Sequence, residues 1–186
     1  MLLVAVIASL GWSSPPLRTS SCLPRASNQA LSRASRIYLN VAGDKYGSDP
    51  REGLSESEIK ADVAWAAASI DMSAGRVGEL GSVGQLQAAI DTAADDCIVV
   101  LKFEREGCAA CAATRDLYAD TAAAFGERGL FFVVDYDKST AFCRQVKVRV
   151  VPCGHIFCNG KLHAALPLGK KSWQAFREEL DAVVAG

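Results

Sequence analysis

Two cysteines, Cys108 and Cys111, are separated by two alanines and are spaced for redox chemistry. An apolar run at 98–103 precedes them and predicts a buried strand, and a helix-compatible run at 112–125 follows them. The first thiol is therefore expected near a helix N-terminus, where the partial positive charge favours thiolate over thiol. A thiolate with a second thiol one turn away is the chemistry of disulfide exchange.

The composition of the chain limits the class of protein to which it can belong. The chain has 186 residues, 50% of them hydrophobic, and a net charge of −1, which predicts one soluble globular domain with extensions. We expect a monomer, and no excess of charge points to a nucleic acid. The apolar start at 1–8 is far shorter than the ~20 residues of a membrane span, so no membrane partner is expected.

The cysteine content favours a reducing compartment. Seven cysteines are present, and Cys22 lies in a leader-like segment, so a processed chain would keep six. Disulfide frameworks of secreted proteins usually belong to smaller chains with more loops. Here most cysteines lie in apolar runs, and Cys97 and Cys158 at predicted strand ends are expected in the core.

Residues 1–43 have the composition of a targeting leader. They contain no Asp or Glu, whereas four arginines are scattered among many serines. Such a composition is typical of an organelle transit peptide. The apolar start would also suit the core of a signal peptide, and a merely disordered N-terminus is the remaining alternative. We expect this leader to be disordered.

Residues 44–76 are predicted to form a linker, and residues 77–186 the folded domain. The linker contains one candidate helix at 55–70, capped by Ser55 or Ser57, with Trp65 placed to dock on the domain. The predicted elements of the domain are a first strand near 77–80, a helix from 83 to about 93 opened by a capping box at 82–85, a strand at 98–103, a helix at 108–125, a strand at 130–134, a short helix at 139–146, a strand at 156–158, a returning strand at 162–165 and a final helix capped by Ser172.

The order of these elements predicts an α/β fold. A strand–helix–strand crossover gives a parallel pair of strands. The Asn159-Gly160 dipeptide is a strong hairpin signal, so the last two strands are expected to be antiparallel. The result is a mixed central sheet with helices on both faces. Along the long helix, Leu117, Thr121 and Phe125 are expected to form one buried stripe.

With these residues in place, the segment 77–186 resembles the thioredoxin family. A lone CxxC is a weak signal, but here it lies on a strand-to-helix turn and other features keep their relative positions. These features are Phe103 five residues before the first cysteine, Val151-Pro152 where the family has its cis-proline, the Asn159-Gly160 turn and Gly169 before the last helix.

A closer resemblance is to the atypical cysteine- and histidine-rich thioredoxins of chloroplasts. The segments 138–143 and 146–152 are similar to theirs, and those proteins also carry a cysteine at the position of Cys143. This resemblance implies a chloroplast location and is independent of the leader. The chain departs from the usual thioredoxin pattern in four places: Gly107 replaces a Trp, Ala109-Ala110 replace Gly-Pro, Lys102 replaces a buried acid, and no proline matches the family's kink in the long helix, where Asp120 lies.

The resemblance implies roles for several residues. Cys108 is the expected nucleophile and Cys111 the resolving thiol. Gly107, Val151 and Pro152 are the candidate substrate-binding residues, with the peptide bond before Pro152 in the cis form.

Proton transfer to and from Cys111 has two candidate routes. A buried Lys102 would serve as a neutral base once deprotonated. We favour the alternative, in which the Lys102 stem packs, its ammonium reaches solvent, and Glu104 or Glu106 assists the transfer.

Other potential ligands and thiols carry weaker signals. Cys143 and Cys153 are either packed core residues or regulatory thiols. Of the two histidines, one of His155 and His163 is expected to face solvent and the other to pack. Only one CxxC is present, so a metal site is not expected.

The sequence thus predicts a plastid enzyme, a thiol–disulfide oxidoreductase without a bound cofactor. The resemblance implies protein disulfides as substrates, such as those of peroxiredoxins or metabolic enzymes, and an upstream thiol donor. A less favoured location is the mitochondrion or the secretory pathway. Two alternatives stay open: a zinc or iron–sulfur binding module, and a non-catalytic adaptor on the same fold.

Overall fold

The fold is known from a computed structural model that describes residues 53–94 and 96–185. The leader predicted at 1–43 lies outside the described residues. Within them, no helix has the length and apolarity needed to cross a bilayer.

Five strands form one mixed sheet in the order β1-β3-β2-β4-β5. The β1–β3 and β3–β2 pairs are parallel, whereas β2–β4 and β4–β5 are antiparallel. The mixed sheet and the hairpin predicted from the sequence are therefore confirmed. The strands are β1 (Val77–Glu79), β2 (Ile98–Glu104), β3 (Gly129–Asp135), β4 (Cys153–Cys158) and β5 (Lys161–Pro167).

Helices cover both faces of this sheet. One core cluster joins the sheet to α2 and α5, and a second joins the other face to α4 and α6. Because side chains alternate along a strand, Leu101 of β2 belongs to the first cluster and Val100 to the second. The helices are α1 (Glu56–Ala67), α2 (Val83–Thr92), α3 (Ala109–Ala112), α4 (Arg115–Phe125), α5 (Thr140–Gln145) and α6 (Trp173–Ala185).

Helix α1 lies within the predicted linker and packs against the domain. Its N-terminus is closed by a capping box, in which the Glu58 N–H donates to Ser55 Oγ and the Ser55 N–H donates to Glu58 Oε2. Glu58 also pairs with Arg144 of α5 at 3.5 Å. Trp65 lies against Gly81, where an added Cβ would be 2.4 Å from an indole carbon. The docking of Trp65 expected from the sequence is thus observed.

The long helix predicted at 108–125 is wrong in one respect, because the structure divides it into α3 and α4. Thr114 lies at the break with φ −117° and ψ 7°, and its hydroxyl donates to the Cys111 carbonyl at 3.2 Å. Such local side-chain bonds compete with the regular helical pattern.

The buried stripe of α4 also differs from the predicted one. Thr121 and Phe125 are buried as expected, but Leu117 is 38% exposed. Tyr118 takes the place of Leu117 in the core, and its hydroxyl lies 3.0 Å from the carbonyl oxygens of Val100 and Phe132. This side chain anchors α4 to the two central strands.

His155 is packed inside the sheet, whereas His163 on β5 is exposed and lies 2.7 Å from Glu179. This division was expected from the sequence. The His155 ring lies edge-on to Phe103, with 4.8 Å between ring centroids, and its Nδ1 has no hydrogen-bond partner among the described residues. Burial lowers the pKa of His155 from 6.5 to about 4.

The buried histidine predicts a loss of stability in mild acid. Between pH 6.5 and pH 4 the unfolded chain binds a proton at His155 that the folded chain excludes, so the free energy of unfolding falls as the pH falls. The loss is up to about 1.4 kcal/mol per pH unit, or about 3 kcal/mol by pH 4. Urea denaturation across this range should show it in the wild type and in His163→Gln. In His155→Phe this loss of stability should be absent. A difference in the free energy of unfolding between the wild type and His155→Phe that stays constant with pH would refute the prediction.

Candidate active site

The dithiol lies where β2 runs into α3. Strand β2 ends at Glu104, a short turn follows, and Cys108 occupies the N-cap position of α3. Gly107 precedes the cysteine with φ +73°, a backbone conformation that glycine adopts without steric cost. The strand-to-helix placement of the two cysteines predicted from the sequence is confirmed.

Cys108 and Cys111 form a disulfide with an S–S distance of 2.16 Å and a Cα–Cα distance of 5.2 Å. The backbone N–H of Cys111 donates to Cys108 Sγ at 3.1 Å. Cys111 is fully buried, whereas Cys108 is half-buried and is flanked by the exposed Gly107 and Ala109. An incoming sulfur can therefore reach Cys108 but not Cys111.

A cis peptide bond joins Val151 and Pro152, as expected from the sequence. The next residue, Cys153, begins β4 and lies opposite Phe103 of β2 in the antiparallel register. Pro152 is thus at the same end of the sheet as the turn that carries Cys108. The Pro152 carbonyl accepts a hydrogen bond from the Leu168 N–H at 3.0 Å, which fixes this segment to the end of β5.

The surface beside the cis bond is apolar. Val150 is 67% exposed and Val151 is half-buried, so two valines precede the buried Pro152. Gly107 and Ala109 add little bulk on the turn that carries Cys108. Small residues on both segments are therefore open to an extended polypeptide, with the exposed charges of Glu106 and Arg149 at their edges.

The position of the Lys102 ammonium differs from the favoured prediction. Its side chain is 0% exposed, so the ammonium does not reach solvent. Lys102 Nζ donates to the Cys111 carbonyl at 3.2 Å and lies 2.9 Å from Glu104 Oε2. It is also 5.7 Å from the centre of the Tyr118 ring. An internal carboxylate, a carbonyl and an aromatic face replace water around this cation, which is why it can remain buried.

Glu104 connects the buried lysine to the surface. Its contact with Lys102 is an ion pair without hydrogen-bond geometry, and its other oxygen accepts from Arg115 Nη2 at 3.2 Å. Glu104 also lines a polar cleft of about 450 Å³ together with Arg105, Glu106 and Asp135. A continuous polar route thus runs from the Cys111 carbonyl through Lys102 and Glu104 to the outside.

Cys143 and Cys153 are packed in the same hydrophobic cluster as Phe103. Burial is the main cause that raises the pKa of Cys143 to about 12, and burial raises the pKa of Cys153 to about 11. Both thiols are therefore protonated at neutral pH. Cys97 is buried just before β2, and Cys158 is half-buried at the end of β4.

Metal ligands do not converge in the part of the chain that the structure describes, where no group of three or more His, Cys, Asp or Glu side chains could hold an ion. The metal-binding alternative has no ligand set among these residues. The packing of His155 between the rings of Phe103 and Phe157 gives it a structural place instead.

Two residues of this region were missed in the sequence. Arg115 holds the outer oxygen of Glu104, and Tyr118 forms the floor beneath Lys102. The contact between Lys102 and Glu104 could have been inferred from the sequence, because residues two apart on a strand share one face of the sheet. Arg115 and Tyr118 could not be placed in this way, because their positions depend on how the helices after β2 pack over the strand.

Comparison with known proteins agrees with this geometry. A family model described as Thioredoxin matches residues 85–182. No curated protein sequence matches at a significant level.

Three solved structures show a similar fold. Thioredoxin f from spinach chloroplast (short form) is 20% identical, with 59% of this chain and 95% of that chain covered and a TM-score of 0.52. Thioredoxin from Trypanosoma brucei brucei is 19% identical, with 64% and 100% covered and a TM-score of 0.54. A ferredoxin:thioredoxin reductase and thioredoxin f2 complex matches at 18% identity, with 59% and 98% covered and a TM-score of 0.50.

At such low identities these structures support the fold alone. The family match spans more than half of the chain and contains both cysteines and the cis-proline. The chain therefore belongs to the thioredoxin family and has the thioredoxin fold.

Proposed function

We propose that the protein is a thiol–disulfide oxidoreductase that exchanges electrons with protein disulfides through Cys108 and Cys111. Membership of the thioredoxin family supports this class of activity. The observation that carries the proposal is the asymmetry of the dithiol, in which Cys108 is accessible and Cys111 is fully buried. Such a pair separates the sulfur that meets the substrate from the sulfur that completes the exchange.

The exchange proceeds in two steps. In the reduced protein the Cys108 thiolate attacks one sulfur of the target disulfide, and the other target sulfur leaves as a thiolate. Cys111 then loses its proton and attacks Cys108 Sγ, which closes the internal disulfide and releases the second target sulfur. Two electrons pass from the protein to the target, and no bound cofactor is required.

Gly107, Val151 and Pro152 are proposed to bind the substrate. An extended segment that carries the target disulfide would pair with the Val151 backbone, in the manner of a strand added to a sheet edge. The exposed Val150 and the small residues around Cys108 would contact its side chains. The buried Pro152 keeps this segment beside the dithiol turn.

Lys102 and Glu104 are proposed to assist proton transfer at Cys111. Lys102 contacts the Cys111 carbonyl, and Glu104 lies between Lys102 and the polar cleft. Glu104 is the better candidate to exchange protons with water, because it alone of the two lines the cleft.

We place this activity in a plastid, with a partner that supplies electrons. The acid-free, arginine- and serine-containing leader favours an organelle, and two of the similar structures are thioredoxins f, one of them from chloroplast. One is in complex with ferredoxin:thioredoxin reductase, which suggests a reductase as the upstream donor. Peroxiredoxins or metabolic enzymes are the proposed protein substrates, and the protein is proposed to act as a monomer.

A trapping experiment tests the proposed function. Cys111→Ser lacks the resolving thiol and should accumulate a mixed disulfide at Cys108, whereas Cys108→Ser should accumulate none and should not reduce insulin. Mass spectrometry of the trapped species would identify the target. Cys143→Ser serves as the matched control, because that thiol is buried away from the exchange. No insulin reduction by the wild type with any thiol donor, despite an intact dithiol, would instead favour a non-catalytic adaptor.

Replacement of Glu104 should slow the second step of the exchange. In Glu104→Gln the side chain keeps its length but cannot accept a proton, so release of the target from Cys108 is expected to slow by about tenfold. Single-turnover kinetics with a fluorescent disulfide peptide would separate this step from the initial attack. Equal slowing of both steps would point to a general distortion rather than to proton transfer.

The buried cysteines should be inert in the folded protein. With their pKa values near 12 and 11, Cys143 and Cys153 carry almost no thiolate at pH 7. Iodoacetamide is expected to label Cys108 of the reduced protein at least about a hundredfold faster than either of them. Peptide mapping by mass spectrometry would measure the rates, and labelling of Cys143 as fast as Cys108 would support a regulatory role for it instead.

A further inference from the structure

Lys102 places a buried positive charge against the backbone of the resolving cysteine. Its Nζ is 3.2 Å from the Cys111 carbonyl oxygen, and its side chain has no exposed surface. The negative partner, Glu104, lies 2.9 Å from Lys102 Nζ through its buried Oε2, and its other oxygen pairs with Arg115 at the polar cleft. The ammonium therefore contacts the backbone of the resolving cysteine, whereas part of the Glu104 charge is taken up by Arg115.

The two redox states of the dithiol respond differently to this charge. The disulfide is neutral, whereas the reduced pair carries a thiolate. A nearby cation stabilises the thiolate and leaves the energy of the disulfide almost unchanged, and burial weakens the screening by water. Glu104 opposes this effect in part, and its charge is shared with Arg115.

We infer that Lys102 biases the Cys108–Cys111 pair toward its reduced form, so that the protein accepts electrons and its substrates include proteins with two neighbouring free thiols. This inference rests on the proposed function and favours the reverse of its two steps, in which electrons pass from the target to the protein. A pair whose reduced form is stabilised acts as an oxidant in exchange with other dithiols.

The oxidising reaction also uses the position of Lys102. A target thiolate attacks the accessible Cys108 Sγ, the Cys108–Cys111 bond breaks, and Cys111 leaves as a thiolate. A sulfur leaves faster when its thiolate is better stabilised, and Lys102 Nζ donates to the backbone carbonyl of the residue that carries this leaving sulfur. The second target thiolate then attacks the target sulfur in the mixed disulfide, which forms the target disulfide and releases Cys108.

The electron balance of this reaction is complete. Two electrons pass from the target dithiol to Cys108 and Cys111, and the two protons lost by the target are taken up by the protein or by solvent. A low-molecular-mass disulfide such as oxidised glutathione returns the protein to its disulfide form, and two molecules of the thiol are released.

The test is the equilibrium of the full chain with reduced and oxidised glutathione. Lys102→Met removes the charge and keeps a similar apolar stem, so its disulfide is expected to be about tenfold more stable than that of the wild type, equivalent to about 30 mV. Glu104→Gln removes the opposing charge and keeps an oxygen for Lys102, so its disulfide should be less stable than that of the wild type. Lys161→Met, on the exposed hairpin strand, controls for net charge and should match the wild type.

Opposite shifts of the two variants are the diagnostic result, because a purely structural role would move both in the same direction. The inference would be overturned if the equilibrium constant of Lys102→Met with glutathione equalled that of the wild type. Shifts in the same direction in both variants would also overturn it. If Lys102→Met does not fold, the direction of the Glu104→Gln shift decides alone. Failure of the wild-type dithiol to equilibrate with glutathione at all would instead refute the proposed function.

A rate measurement provides a second readout. Oxidation of dithiothreitol by the disulfide form should be slower in Lys102→Met, because the Cys111 leaving group loses its cation. The thermal unfolding midpoint and far-UV circular dichroism of each variant show whether the fold remains intact. An unchanged oxidation rate in a folded Lys102→Met protein would contradict the role of Lys102 at the leaving sulfur.

Discussion

The central position of β2 is the constraint on which the rest of the structure depends. This strand pairs with β3 on one side and β4 on the other, and helices cover both of its faces. Every residue from 98 to 103 is consequently buried. The same strand aims the dithiol turn at the end of the sheet and forces the side chain of Lys102 into the interior. Snorkelling requires a path to water, and a central strand offers none at this position.

Much of the fold could be predicted from local patterns. The buried strands appear as short apolar runs, and the turn at Asn159-Gly160 fixes the antiparallel return of β5. The Ser55 cap and the docking of Trp65 also follow from residues close in sequence. The break at Thr114 could not be predicted in this way, because a helix pattern continues through it. It depends on a hydroxyl that turns back to the Cys111 carbonyl, and on Tyr118 reaching the strand carbonyls beneath.

The candidate site, like the fold, could be predicted from the sequence only in part. The two cysteines and the turn glycine lie within one short segment, so the sequence predicts their relation, whereas the place of Pro152 near the dithiol was implied by the resemblance to thioredoxins. The partners of Lys102 come from separate elements: Glu104 from its own strand, the Cys111 carbonyl from α3 and the Tyr118 ring from α4. The general tendency of lysine to reach water favoured the wrong orientation. Only the packing of α3 and α4 over β2 shows that these groups satisfy the ammonium.

The ion pair also links stability to chemistry at the dithiol. A buried charge without a partner costs several kcal/mol, and Glu104, the Cys111 carbonyl and the Tyr118 ring together offset that cost for Lys102. Yet a fully enclosed pair would present little net field to the cysteines, since the two charges would cancel. Arg115 pairs with the outer oxygen of Glu104 at the polar cleft, which draws part of its negative charge away from Lys102, while the ammonium contacts the Cys111 carbonyl. The partners that make the cation tolerable in the core are therefore also the ones that hold it beside the resolving cysteine.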